Sequence, residues 1–199
     1  MTVTYQQTDT TATFNVGCSA RSAGVQNASR QAIVGGTAGT TEQSVNPDNQ
    51  GGLRACFNFD VPVGDAPNIA TWTDGNWQVT INFTSGDPGT FLKEVHVCDN
   101  NGGSYTTVCS ETGLTVATTA GSTTRTIAQG GDHSPQAQST SRPFIVIVLE
   151  NTDPHGGSAC GITPSSTVVA PYTLTPPQIP GQFLRRYEHM SAPNPSLRR

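Results

Sequence analysis

Trp77, Val79, Ile81 and Phe83 alternate with polar residues through "WQVTINFT" at 77–84, and no window of helical length in the chain repeats apolar residues at i, i+3 and i+4. A period of two puts one side of an extended chain against a core and leaves the other in water. The stretch 53–61, "LRACFNFDV", has the same pattern, with Leu53, Ala55, Phe57, Phe59 and Val61 on the inward side. "FLKEVHV" at 91–97 follows a Gly/Asp/Pro turn, and "SYTTVC" at 104–109 and "LTVATTA" at 114–120 follow "NNGG" and "ETG". "FIVIVLEN" at 144–151 is apolar on both sides, as a strand covered on both faces would be. "STVVAPYTL" at 166–174 ends the series, and its Pro171 suggests an edge or a bulge. "TVTYQQ" and "TATFNV" make a weaker hairpin around residues 8–10. These spacings predict an all-β chain, an antiparallel, jelly-roll-like β-sandwich, with a Greek-key immunoglobulin-like packing as the alternative.

Composition agrees with that reading. Apolar residues make up 34% and charged residues 12%, but the net charge is only −4, so the low hydrophobicity is not that of a disordered polyelectrolyte. The polar excess is 29 Thr and 16 Ser beside 21 Gly. Threonine is β-branched and fits a pleated, half-solvated surface.

The charge is unevenly placed. Residues 1–184 hold six basic and thirteen acidic side chains, a balance of −7, whereas residues 185–199 hold four Arg against Glu188, a balance of +3. Lys93 is the single lysine. An acidic body repels a phosphate backbone, so nucleic acid is disfavoured as a partner. The longest apolar run, "FIVIVL", is six residues, far short of a membrane-crossing helix, and no membrane partner is expected. "MTVTYQQTDTTATF" lacks a basic start and an apolar core, which predicts a product made and kept in a cytosol or released on lysis.

Candidate chemistry is sparse. Cys18, Cys56, Cys98, Cys109 and Cys160 form an odd set, which predicts reduced, packed thiols; Cys98 and Cys109 flank a turn and are the pair that invites a bridge. His96, Cys98 and Cys109 could begin a zinc site, but no C-x-x-C or H-x-x-x-H spacing supports one, and no metal or cofactor is expected. "HGGSACG" at 155–161 has the look of an oxyanion loop without any G-x-S-x-G nucleophile, and reads as a turn. "DNNGG" and "DGN" offer oxygen ligands but lack the EF-hand pattern and serve equally as turns. Asp60, Asp74, Asp87, Asp99 and Glu111 read as turn and solvent-facing acids rather than a hydrolytic pair. Trp72 is the candidate glycan contact, if its ring is exposed. No catalytic residue is predicted.

Residues 35–52 and 129–143 read as long loops, and the chain closes on "TPPQIPGQFLRRYEHMSAPNPSLRR", with five prolines and four arginines. This divides the protein into a β domain at 1–174 and an extended Pro/Arg-rich arm at 175–199. An arm of this kind buries too little of its own surface to offset its ordering entropy, so its order has to come from a partner. Phe183, Leu184 and Tyr187 are the expected apolar anchors, and Arg185, Arg186, Arg198 and Arg199 the expected contacts to an acidic surface.

The Thr/Gly-rich strand domain, the start without a leader and the arm "PPQIPGQFLRRYEHM" together resemble the small structural proteins of tailed bacteriophage virions. The resemblance covers the whole chain as a pattern. It implies a non-enzymatic capsid decoration (cement) protein, or a tail or collar component, located in the virion. Its partners would be the major capsid protein or copies of itself, with a homo-oligomer expected. A carbohydrate-binding jelly roll using Trp72 and the 35–52 loop is the alternative, and a hydrolase ranks third.

Overall fold

The computed structural model describes residues 2–19, 27–45, 54–62, 69–85, 88–119, 121–135, 141–151, 160–162 and 166–174. The elements in chain order are β1 (Thr2–Thr11), β2 (Asn27–Val34), β3 (Gln43–Val45), β4 (Arg54–Asp60), β5 (Ile69–Thr71), β6 (Asn76–Ser85) and β7 (Thr90–Asn101). They continue as β8 (Ser104–Glu111), β9 (Val116–Ala117), β10 (Gly121–Ala128), β11 (Ser141–Asn151), β12 (Cys160–Ile162), β13 (Thr167–Pro171) and β14 (Thr173–Leu174). The chain is all-β, and the described residues contain no helix.

Among the described residues, twelve strands form one continuous mixed sheet that curls nearly into a barrel, while β5 and β14 pair separately. Its main path runs β6-β13-β1-β2-β4-β11-β7-β8, and β10 lies on the other side of β6. Among the described strands, every pair is antiparallel except β2 with β4. That pair corrects the purely antiparallel expectation, and the hydrogen-bonded path is one sheet rather than two stacked ones.

The ends of the path meet at a seam between β10 and β8, where Arg125 Nε donates to Glu111 Oε2 at 2.9 Å and Nη2 reaches Oε1 of the same carboxylate. A bidentate guanidinium–carboxylate pair fixes geometry as well as supplying attraction.

The inward face carries the main core. Trp77, Val79, Ile81 and Phe83 are all buried, as the alternation requires, and meet Tyr5, Phe57, Phe59, Leu92, Val95, Ile145, Ile147, Leu149 and Val168. Val61 is buried too, whereas Leu53 lies outside the described residues. The β7–β8 hairpin turns on Gly102 and Gly103, with φ of 63° and 101°. A two-residue turn with positive φ at both centres matches the twist of the strands it joins, and only glycine adopts it without strain.

β11 is covered on both faces, as its sequence predicts. Ile145, Ile147 and Leu149 face the barrel interior, and Phe144, Val146 and Val148 form a second buried cluster with Cys98 on the outside. That outer cluster is roofed by residues 12–19, which are a strap rather than the expected second strand of an N-terminal hairpin. The strap is fixed by Ala12 N donating to Ser29 O at 3.1 Å, by Asn58 Nδ2 donating to Asn15 O, and by a Cys18–Cys98 disulfide. Gly17, at φ 57°, lies so close that a Cβ there would sit 2.9 Å from two Phe144 ring carbons.

Pro171 is not on an edge strand, since β13 pairs with both β1 and β6. Its ring is tolerated because the pairing with β6 ends at Val169, two residues earlier. Strands β2 and β10, which the apolar alternation does not predict, each place an arginine (Arg30, Arg125) in register with inward-facing neighbours.

Candidate docking surface

The sites suggested by the sequence separate in space. Cys98 pairs with Phe144 on the outer face of β7, whereas Cys109 pairs with Val97 and joins the interior core. A register shift in β8 separates the two, so the cysteines point to opposite sides of the sheet and the Cys98–Cys109 bridge cannot form. Cys98 instead bonds Cys18, 80 residues away, which corrects the expectation of reduced thiols.

The same geometry disperses the zinc candidates, and among the described residues no group of three or more His, Cys, Asp and Glu could hold a metal ion. His96 is engaged on the outer face of β7, where Glu94 Oε2 lies 2.9 Å from its Nε2 and both side chains are largely buried.

Trp72 is buried, at 0% exposure, and this corrects its assignment as an exposed glycan contact. Its ring packs edge-on to Trp77 at 5.8 Å and stacks on His133 at 5.5 Å. Its backbone exchanges hydrogen bonds of 3.0 and 2.9 Å with His133. Gln129 ties the arrangement together by donating to Trp72 O at 2.7 Å and accepting from Trp77 Nε1 at 2.7 Å.

The acids have structural partners. Asp99, expected in a solvent-facing turn, is buried with its Oδ2 3.4 Å from His133 Nε2. Asp60 lies 3.5 Å from the Arg142 guanidinium; burial raises its carboxyl above the usual range, and Arg142 opposes that shift. Asp9 accepts from the backbone N–H groups of Thr40 and Thr41 at 2.7–3.0 Å, which hold its carboxyl below the usual range. Asp132 accepts from Asp74 N at 2.6 Å. In "DNNGG", Asn100 Oδ1 accepts from Gly103 N at 3.0 Å and so serves the turn. Asp87, His155 and the arm residues Phe183, Leu184, Arg185, Arg186, Tyr187, Arg198 and Arg199 lie outside the described residues.

Cys109 is a free, buried thiol, and desolvation pushes its pKa from 9.0 up to about 12. A raised folded pKa leaves stability intact below pH 9 and removes it as the pH climbs through 12. The wild type should therefore lose up to about 1.4 kcal/mol per pH unit more than Cys109→Ala across that window. Urea melts of both proteins at pH 8.5 and 10.5 measure the difference, and equal pH slopes would contradict it.

What the sheet offers to a partner is the outward face of β10, β6, β13 and β1. Alternation that sends Trp77, Val79 and Ile81 inward sends Gln78, Thr80 and Asn82 outward, opposite Thr126, Thr124 and Ser122 of β10. β13 and β1 extend two of these rows, giving Thr126–Gln78–Val169–Thr4 and Thr124–Thr80–Thr167–Gln6. These positions are exposed or half-exposed, and none of the eight is ionisable. The Thr80 and Thr124 hydroxyls lie 3.0 Å apart. Such rows present uncharged hydroxyl and amide groups on a pleated surface, able to meet another protein without desolvating a charge. None of these residues is among the candidates named from the sequence, although the period-two threonines and serine of "GSTTRTIA" carry the signal.

No family model matches the chain, and a search of curated proteins finds no match.

Proposed function

We propose that this chain is a non-enzymatic structural protein of a tailed-bacteriophage particle, a capsid decoration protein that docks on or between subunits through its arm at 175–199. The observation that carries the reading is the division of charge, −7 over residues 1–184 against +3 over 185–199. Opposite charges on body and arm favour an arm that reaches an acidic neighbour, either a copy of this chain or the capsid subunit. The uncharged face of β10, β6, β13 and β1 supports the same reading, since it gives the body a surface that can approach another subunit without charge repulsion. The glycan-binding alternative loses its stacking ring with the burial of Trp72.

Deletion of residues 176–199 tests the proposal. The truncated protein should keep its far-UV circular dichroism and its urea midpoint while losing co-sedimentation with particles stripped of this protein. Arg185→Glu with Arg186→Glu should weaken docking, and docking of the wild type should fall as salt rises. A truncation that sediments like the full chain would refute the reading.

A further inference from the structure

We propose that residues 12–19 form a thiol–disulfide latch, in which reduction of Cys18–Cys98 lifts the strap and uncovers the apolar outer face of β11. This inference stands on the strap and its surroundings and does not rest on the virion reading.

Three observations carry it. The strap covers an apolar surface: Phe144, Val146 and Val148 are buried beneath it, with Phe14 and Cys18 packed against them. The strap belongs to no strand and is held by separate contacts rather than a ladder, among them the Ala12–Ser29 and Asn15–Asn58 hydrogen bonds, the Cys18 N–H on Cys98 Sγ at 3.1 Å, and Phe14 and Gly17 against the cluster. The barrel does not depend on the strap for pairing, because β11 is hydrogen-bonded to β4 and β7 along its length. Elements with few buried contacts open at lower free energy than the core they lie on.

The surroundings of the bridge suit exchange. Cys98 is fully buried while Cys18 is half-buried, so an incoming thiolate reaches Cys18 first. Glu94, His96 and Cys98 follow one another at every second residue on the outer face of β7, opposite Val148, Val146 and Phe144. His96 is already hydrogen-bonded to Glu94 at 2.9 Å.

In the exchange, one thiolate of a dithiol reductant attacks Cys18 Sγ and forms a mixed disulfide. The Cys18–Cys98 bond breaks, and its electron pair leaves on Cys98 Sγ as a thiolate, which takes a proton from solvent once the strap lifts. The reductant's second thiol, as thiolate, then displaces Cys18, which is protonated from solvent. Two electrons pass from the dithiol to the protein, and the dithiol becomes a disulfide.

The test uses the full chain titrated with dithiothreitol. Bridge opening is read by alkylation and mass spectrometry, strap release by chymotryptic cleavage after Phe14 and by the dye ANS, and barrel integrity by tryptophan emission from buried Trp72 and Trp77. Reduction should raise cleavage after Phe14 about ten-fold and raise ANS emission while leaving the tryptophan maximum in place, and reoxidation should reverse both. Cys18→Ser with Cys98→Ser should show the released strap without reductant. A strap equally protected after reduction would overturn the latch. So would a tryptophan red shift at the same dithiothreitol concentration, because the strap would then not open separately from the barrel.

Discussion

Trp77→Ala should lower the unfolding free energy by about 3–5 kcal/mol, the range for removing a buried aromatic ring from a packed core. Trp77 lies at 0% exposure, packs edge-on to Trp72 and donates Nε1–H to Gln129 Oε1 at 2.7 Å. The substitution thus opens a cavity, removes an aromatic pair and takes the donor from Gln129. Gln129 also holds Trp72 O and Gly131 O, so the disturbance spreads into the 129–133 turn. Trp77→Phe keeps most of the apolar surface and loses the hydrogen bond, and should cost roughly 1–2 kcal/mol. Urea denaturation measures both as shifts in midpoint at constant slope. A loss below about 1 kcal/mol for Trp77→Ala would mean that the ring does not fill the barrel.

Cys18→Ser with Cys98→Ser should cost a comparable amount by a different route. The bridge spans 80 residues, and closing a loop of that size removes enough unfolded-chain entropy to contribute about 4–5 kcal/mol. Most of this acts on the unfolded state, so the folded barrel keeps its circular dichroism while its midpoint falls. The same loss should appear in wild-type protein melted with excess reductant. If the variant and the oxidised wild type unfold at the same denaturant concentration, the bridge is absent in solution or contributes nothing.

Strands whose inward positions are all apolar were legible in the sequence. "WQVTINFT" sends the four expected residues into the core, and "FIVIVLEN" is covered on both faces. The two longest missed strands share a physical cause, whereas β3, β5 and β12 are three-residue strands too short to show an alternation. β2 and β10 each place an arginine at an inward position, which breaks the apolar alternation. In each case the compensating group is remote: Arg30 donates to Asp9 O and Thr11 Oγ1, and Arg125 to Glu111. A buried or half-buried guanidinium is acceptable only when such partners are in place, and strand pairing between distant segments supplies them.

The cysteines failed for the same reason. A local hairpin suggested Cys98 with Cys109, but a one-residue shift in β8 turns Cys109 inward and leaves Cys98 to a partner 80 residues away. Trp72 was misread because its burial depends on His133 and Gln129, which reach it from a turn about sixty residues later.

The surface features were only partly legible. Charge division between body and arm is a property of composition and needs no fold. The uncharged face is different, because it requires the register of four strands to bring Thr126, Gln78, Val169 and Thr4 into one row.

Hydrogen exchange of the full chain, free and bound to stripped particles, bears most directly on docking through the arm. Peptides covering residues 176–190 should gain strong protection on binding, while those of β7 and β11 stay as slow as they are in the free protein. Protection gained only in the barrel, with the arm exchanging equally fast in both states, would contradict it.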